Sequence, residues 1–107
     1  MDKEIELIRR FRVTSKYKGY FWLIEAVCIA RENYNKGIHV TKDIYPELAH
    51  RHAVPRERIE RNMRTVVEKC WENNPEFLQE MAGYQLDYCP TISEFLDMAA
   101  YWLNREK

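Results

Sequence analysis

Glycine is scarce in this chain, three residues among 107, and none lies in a glycine-rich run able to wrap a phosphate. The single Lys18-Gly19 step is no phosphate loop. Cysteine occurs only as Cys28, Cys70 and Cys89, an odd number with no pair at the close spacing of a zinc or redox motif. These read as reduced, mostly buried thiols, and no local sequence suggests an activated nucleophile. His50 and His52 stand two apart on an expected helix and project about 200° from each other, so that helix alone cannot grip one metal. They read as polar surface histidines. No catalytic residue, metal ligand or cofactor is assigned, and an enzyme is not expected.

Long apolar runs are missing too. The longest, Tyr20 to Ala30, has Glu25 inside it and is too short to span a membrane. No charged-then-apolar secretory leader opens the chain, so the expected location is cytoplasmic, with no membrane partner. There is no fixed-period repeat, low-complexity tract or flexible linker. With 46% hydrophobic content, 107 residues suffice for one compact domain with a real core and are too few for two ordinary ones, so 1–107 is read as one domain.

Net charge is absent as well, with 17 basic and 17 acidic residues. The zero hides a segregation: residues 1–71 carry 15 positive and 10 negative charges, residues 72–107 carry 2 and 7, so the parts stand at +5 and −5. A basic face opposite an acidic one is therefore allowed, and a nucleic-acid partner with it.

What is present centres on residues 41–72, which read as a helix-turn-helix: a short helical segment, a tight corner at Ala53 and Val54, and a long helix opened by Pro55. Proline suits a first helical position, and Ala49 is small enough for two helices to approach. Ile59, Met63, Val66, Val67, Cys70 and Trp71 form one apolar stripe on the long helix, while Arg58, Arg61, Arg64, Thr65 and Glu68 fall away from it. Guanidinium forks on that outer face suit DNA. The pattern alone equally describes the surface helix of any globular domain. Glu57, Glu60 and Glu68 dilute the positive charge, although a carboxylate can accept from cytosine N4.

Around this unit, residues 2–12 read as a short amphipathic helix, with Ile5, Ile8 and Phe11 at helical spacing, before a polar break from Thr14 to Lys18. Residues 20–33, apolar nearly all round, read as the central helix, stopped at Asn35-Lys36-Gly37. Thr41 reads as an N-cap, with Ile44, Tyr45 and Leu48 turned inward and Pro46 forcing a kink or break. Asn74-Pro75 is a cap-plus-first-position signal for a short helix ending near Gly83. Thr91 and Glu94 have capping-box spacing, and Phe95, Met98, Ala99 and Trp102 carry a last helix. The expected class is all-α, about six helices with a central helix-turn-helix. The aromatics, 13% of the chain, fall mostly on core stripes, which weakens single-strand stacking as an explanation for them.

Several of these stretches, taken in order, resemble one family, the C-terminal DNA-binding domain of the response regulator that initiates sporulation in endospore-forming bacteria. They are Lys18-Gly19-Tyr20 with Trp22-Leu23 and Glu25-Ala26; Thr41-Lys42 with Tyr45-Pro46 and Leu48-Ala49; Arg58-Ile59-Glu60-Arg61 with Met63-Arg64; Glu68 with Trp71; Gly83-Tyr84; and Pro90-Thr91 with Ser93-Glu94-Phe95. The resemblance implies an all-helical domain whose long helix enters the major groove. It further implies a head-to-tail homodimer on tandem short boxes and contact with the polymerase sigma subunit. Arg58, Glu60 and Arg61 match base-reading positions, and Lys18, Thr41, Lys42 and Arg64 lie where phosphate contact is expected. Thr65 on the same outer face and Arg56 beside the turn complete the base-reading and phosphate candidates.

Three departures qualify it. The family's phosphate-accepting receiver is absent, the residues before Lys18 being too few for it, so the chain is expected to be an excised fragment or a stand-alone protein, with phospho-switching outside it. Ala53, Val54, Pro55, Arg56 and Glu57 stand where the family is usually rich in Thr and Ser, and Asn62 and Thr65 where it more often has Ala and His. Two functions follow: a sequence-specific reader of double-stranded DNA, with Arg58 and Arg61 on guanines and Glu60 orienting an arginine or accepting from cytosine; or a receiverless interaction module that pairs with a full-length regulator or the sigma subunit. The acidic C-terminal part supports the second.

Overall fold

The near-continuous apolar run after Gly19 folds as α2 (Tyr20–Glu32), which buries Tyr20, Leu23, Ile24, Ala26, Val27 and Ala30. A helix apolar on almost every side must be enclosed, and this one is packed against four others. The computed structural model describes residues 1–37 and 39–105. Within them the other α-helices are α1 (Asp2–Arg9), α3 (Tyr45–His52), α4 (Arg56–Asn73), α5 (Pro75–Ala82) and α6 (Ile92–Arg105), and there is no strand. One continuous core joins all six.

Helix α1 is amphipathic as expected, burying Leu7 and Ile8, but it also buries a carboxylate, Glu4. Glu4 accepts from the Arg31 guanidinium of α2 at 2.8 Å, and its other oxygen lies 3.1 Å from the Met1 amine. Burial pushes this carboxyl's pKa up, and the hydrogen bonds from Arg31 and the backbone outweigh that, holding it below the ordinary carboxylate value. Beyond α1, Arg12 takes a left-handed conformation (φ 57°), which turns Phe11 and Val13 into the core. The far end of α4 holds this corner: Asn73 Nδ2 donates to the carbonyls of Phe11 and Arg12 at 3.1 and 3.2 Å, and Asn74 Nδ2 donates to that of Arg10 at 3.0 Å. Phe11 meets Phe77 and Phe95 with ring centroids 5.0 and 5.8 Å apart, and Phe77 meets Trp102 edge-on at 5.6 Å. These four aromatics thus fill one end of the core, whereas Phe21, Tyr84, Tyr88 and Tyr101 are exposed.

Helix ends follow local chemistry. The Asn74 side chain accepts from the Phe77 N–H at 3.2 Å, Pro75 occupies the first helical position, and Gly83 ends α5 at φ 85°. Thr91 and Glu94 make both bonds of a capping box, at 2.8 and 3.1 Å. One expectation fails. Thr41 caps nothing, because a π turn, Val40–Ile44, precedes α3 and Thr41 lies inside it. The cap-like bond comes from Asp43, whose Oδ2 accepts from the His39 N–H at 2.7 Å. Pro46 then falls in the first turn of α3, where α3 itself offers its nitrogen no partner, and the expected break lies at the change from π to α register just before it. Gly37 takes φ 64° as expected, but a 3₁₀ turn, Tyr34–Lys36, separates it from the end of α2.

Candidate nucleic-acid interface

Helices α3 and α4 meet at a corner without glycine. Ala53 occupies the left-handed position at φ 54°. The Val54 N–H reaches Ala49 O at 3.2 Å and the Ala53 N–H reaches His50 O at 3.4 Å, the paired bonds of a Schellman stop. A left-handed alanine costs about 1 kcal/mol or more relative to glycine, so other contacts must fix the corner. A charged network on α2 and α3 does so. Arg51 Nε donates to Glu47 at 2.7 Å and its Nη1 lies 3.3 Å from Glu25, while His52 Nε2 lies 2.6 Å from the other Glu25 oxygen. Glu25, the single charge inside the apolar run, therefore ties the last turn of α3 to the central helix.

A second constraint comes from Gly19. A Cβ built there would lie 2.2 Å from Asn62 O and 2.8 Å from Met63 N, both backbone atoms of α4. Only glycine lets the chain entering α2 touch the long helix this closely. The contact also sets Lys18 beside α4.

On α4 the stripe is buried as predicted through Ile59, Met63, Val66, Val67 and Cys70, with Trp71 half-buried. Arg58, Arg61, Arg64 and Thr65 are exposed, Arg61 facing away from the stripe. Among the described residues the Arg58 and Arg61 guanidiniums make no ion pair or hydrogen bond. Six of the nine candidates line two open hollows flanking this crest. Lys18, Arg58 and Arg61 share one with Trp22 and Asn62. Thr41, Glu60 and Arg64 share the other with Tyr45, Glu68 and the start of α6. Arg64 thus lies outside the cluster of the other three cations, 3.5 Å from Glu60, which it pairs in i,i+4 fashion. The Thr65 hydroxyl donates to Arg61 O at 3.2 Å. Lys42 is exposed on the π turn. Arg56, an expected phosphate contact, donates to the backbone carbonyl of Thr41 at 2.7 Å.

Sequence reasoning left four residues out of this picture. Gly19, Glu25 and Trp22 were noted, but no contact was assigned to them, because their partners lie far along the chain. Asn62, whose amide donates to Arg58 O at 2.9 Å, occupies the wall between Lys18 and the arginines. Chemistry of another kind finds no support at the thiols: burial raises the pKa of Cys28, Cys70 and Cys89, keeping them protonated near neutral pH, and none is in a disulfide. No helix among the described residues is long and apolar enough to cross a membrane.

An all-helical domain with a helix-turn-helix, whose second helix carries an exposed arginine crest, has an arrangement common to DNA-binding domains, and the family it matches is one of DNA-binding transcription-factor effector domains. The chain belongs to the family described as sporulation initiation factor Spo0A C terminal, whose family model matches residues 5–103, from the middle of α1 into the last turns of α6. The resemblance seen from Lys18 to Phe95 is part of that longer match.

Proposed function

We propose that this chain is a sequence-specific regulator of transcription that lays α4 in the major groove of double-stranded DNA. Arg58 and Arg61 read guanines through paired bonds to O6 and N7, and Thr65 offers its methyl group to a neighbouring base. Glu60 orients Arg64 or accepts from cytosine N4. Lys18, Thr41, Lys42 and Arg64 contact phosphates on either side of the crest and set its register. The observation that carries this reading is the pair of exposed guanidiniums, Arg58 and Arg61, without a partner among the described residues on a helix whose other face is buried. Tandem short boxes, a head-to-tail homodimer and contact with the sigma subunit belong to the same proposal and rest on the family.

Anisotropy titration of the chain on a box of the family type and on scrambled duplex, at two salt concentrations, tests it. A clear preference for the box at both concentrations is expected. Equal affinities would contradict it. One observation favours a second reading: Tyr84 and Tyr88, 60% and 67% exposed, flank Asp87 in the connection between α5 and α6. Exposed aromatics suit a protein partner. An interaction module that pairs with a full-length regulator or the sigma subunit would bind its partner through them and show no box preference.

A further inference from the structure

Arg56 opens the recognition helix, yet its guanidinium points back along the chain. Its Nη2 donates to Thr41 O at 2.7 Å, across 15 residues of sequence. That carbonyl is one that the sequence leaves without a main-chain donor. In the π turn the Tyr45 N–H closes onto Val40 O, five residues back. In the same register the N–H of residue 46 would reach Thr41, but residue 46 is proline and has none. π turns are rare, occur mostly as single turns continuous with α-helices, and are frequent at functional sites. Asp43 holds this one from within, by its bond to the His39 N–H. Arg56 holds it from α4.

We infer that Arg56 is a positioning residue, a bracket between the first turn of the recognition helix and the π turn, which fixes Thr41 and Lys42 at the flank of α4. A guanidinium suits the role because it stays charged and its planar fork donates to a carbonyl with little further loss of freedom. Lys42 is exposed and, among the described residues, has no side-chain partner, so its place relative to α4 depends on the turn that carries it. The inference rests on the reading of Thr41 and Lys42 as phosphate contacts. Its content is that Arg56 acts through them rather than by touching phosphate itself.

The test uses Arg56→Met, Lys42→Ala and the double variant. In DNA-free protein, amide hydrogen exchange at Asp43 and Tyr45, which donate to His39 O and Val40 O, is expected to quicken about fivefold in Arg56→Met, the equivalent of one ordinary hydrogen bond, with melting unchanged. On DNA, Arg56→Met should reduce the salt slope by about one unit in the parent background and not at all in the Lys42→Ala background, because the counterion release it loses is that of Lys42. Unchanged exchange would overturn the inference. So would a slope reduction that persists without Lys42, which would make Arg56 a phosphate contact. If the parent chain bound no duplex, the proposed function would fall, and the exchange measurement would still decide whether the bracket exists.

Discussion

Arg51 and Arg61 are exposed arginines on consecutive helices, and the fold treats them oppositely. Arg51, on the last turn of α3, is held by Glu47 four residues earlier and by Glu25 from α2. Arg61, on the crest of α4, is paired with nothing among the described residues, although Glu57 stands four residues before it at a spacing that favours pairing. The same residue type therefore serves geometry at one place and is left available at the other. The difference lies in what faces each helix: α3 ends against a half-buried carboxylate of the central helix, whereas the outer side of α4 faces solvent. Charge that fixes the helix-turn-helix is engaged internally, whereas the two arginines proposed to read bases, Arg58 and Arg61, are unpaired among the described residues.

The comparison breaks most readily where the two regions join, at Gly19. Gly19→Ala drives a methyl group into the α4 backbone and is expected to cost about 3 kcal/mol in denaturant unfolding, near the top of the usual range for overpacking. An unchanged midpoint would show that α2 and α4 are not in close contact.

Next comes the engaged carboxylate at Glu4. Glu4→Gln should lose about 1 to 2 kcal/mol at neutral pH, as expected for a hydrogen bond to a charged group. Because the folded carboxyl is held below its ordinary value, its contribution is present above the unfolded value of about 4.3 and fades as pH falls through the lower folded value. Melting curves of parent and variant should accordingly converge in acid. A gap that is constant from pH 7 to pH 3 would contradict the assignment.

Glu25→Gln sharpens the comparison. It should reduce stability by less than about 1 kcal/mol, since its partners are partly solvated, and leave the salt slope of DNA binding unaltered. The smallest stability change belongs to Lys42→Ala. It should leave melting within about 0.5 kcal/mol, weaken specific and random duplex alike, and lower the salt slope by about one unit.

Much of this division was legible in the sequence, and the limits have physical causes. The α4 stripe, the Asn74 cap and the Thr91–Glu94 box depend on residues three or four apart, and they fold as their spacing indicates. The π turn was not legible: threonine before a helical segment ordinarily caps it, and a shift of register leaves no mark in residue type. Glu4 with Arg31, and Glu25 with Arg51 and His52, pair across 26 or 27 residues, where periodicity says nothing. Gly19 carries a weak local signal, a glycine at the start of a bulky apolar helix, but its meaning needs the position of α4. The outer residues of α4 are exposed as their spacing indicates, while the division of that face into two hollows, with Arg64 apart from Lys18, Arg58 and Arg61, depends on what packs on each side of α4.

The central claim, that unengaged arginines on α4 read DNA while engaged ones on α3 build the scaffold, is tested most directly by one paired titration. Parent, Arg61→Ala and Arg51→Ala are titrated against a family-type box and random duplex at fixed salt. Arg61→Ala should lose about 1 to 3 kcal/mol on the box and much less on random duplex, collapsing the ratio between them, while Arg51→Ala keeps the parent ratio. If Arg61→Ala lowers both affinities equally, or Arg51→Ala collapses the ratio as fully, direct readout by the crest of α4 is contradicted.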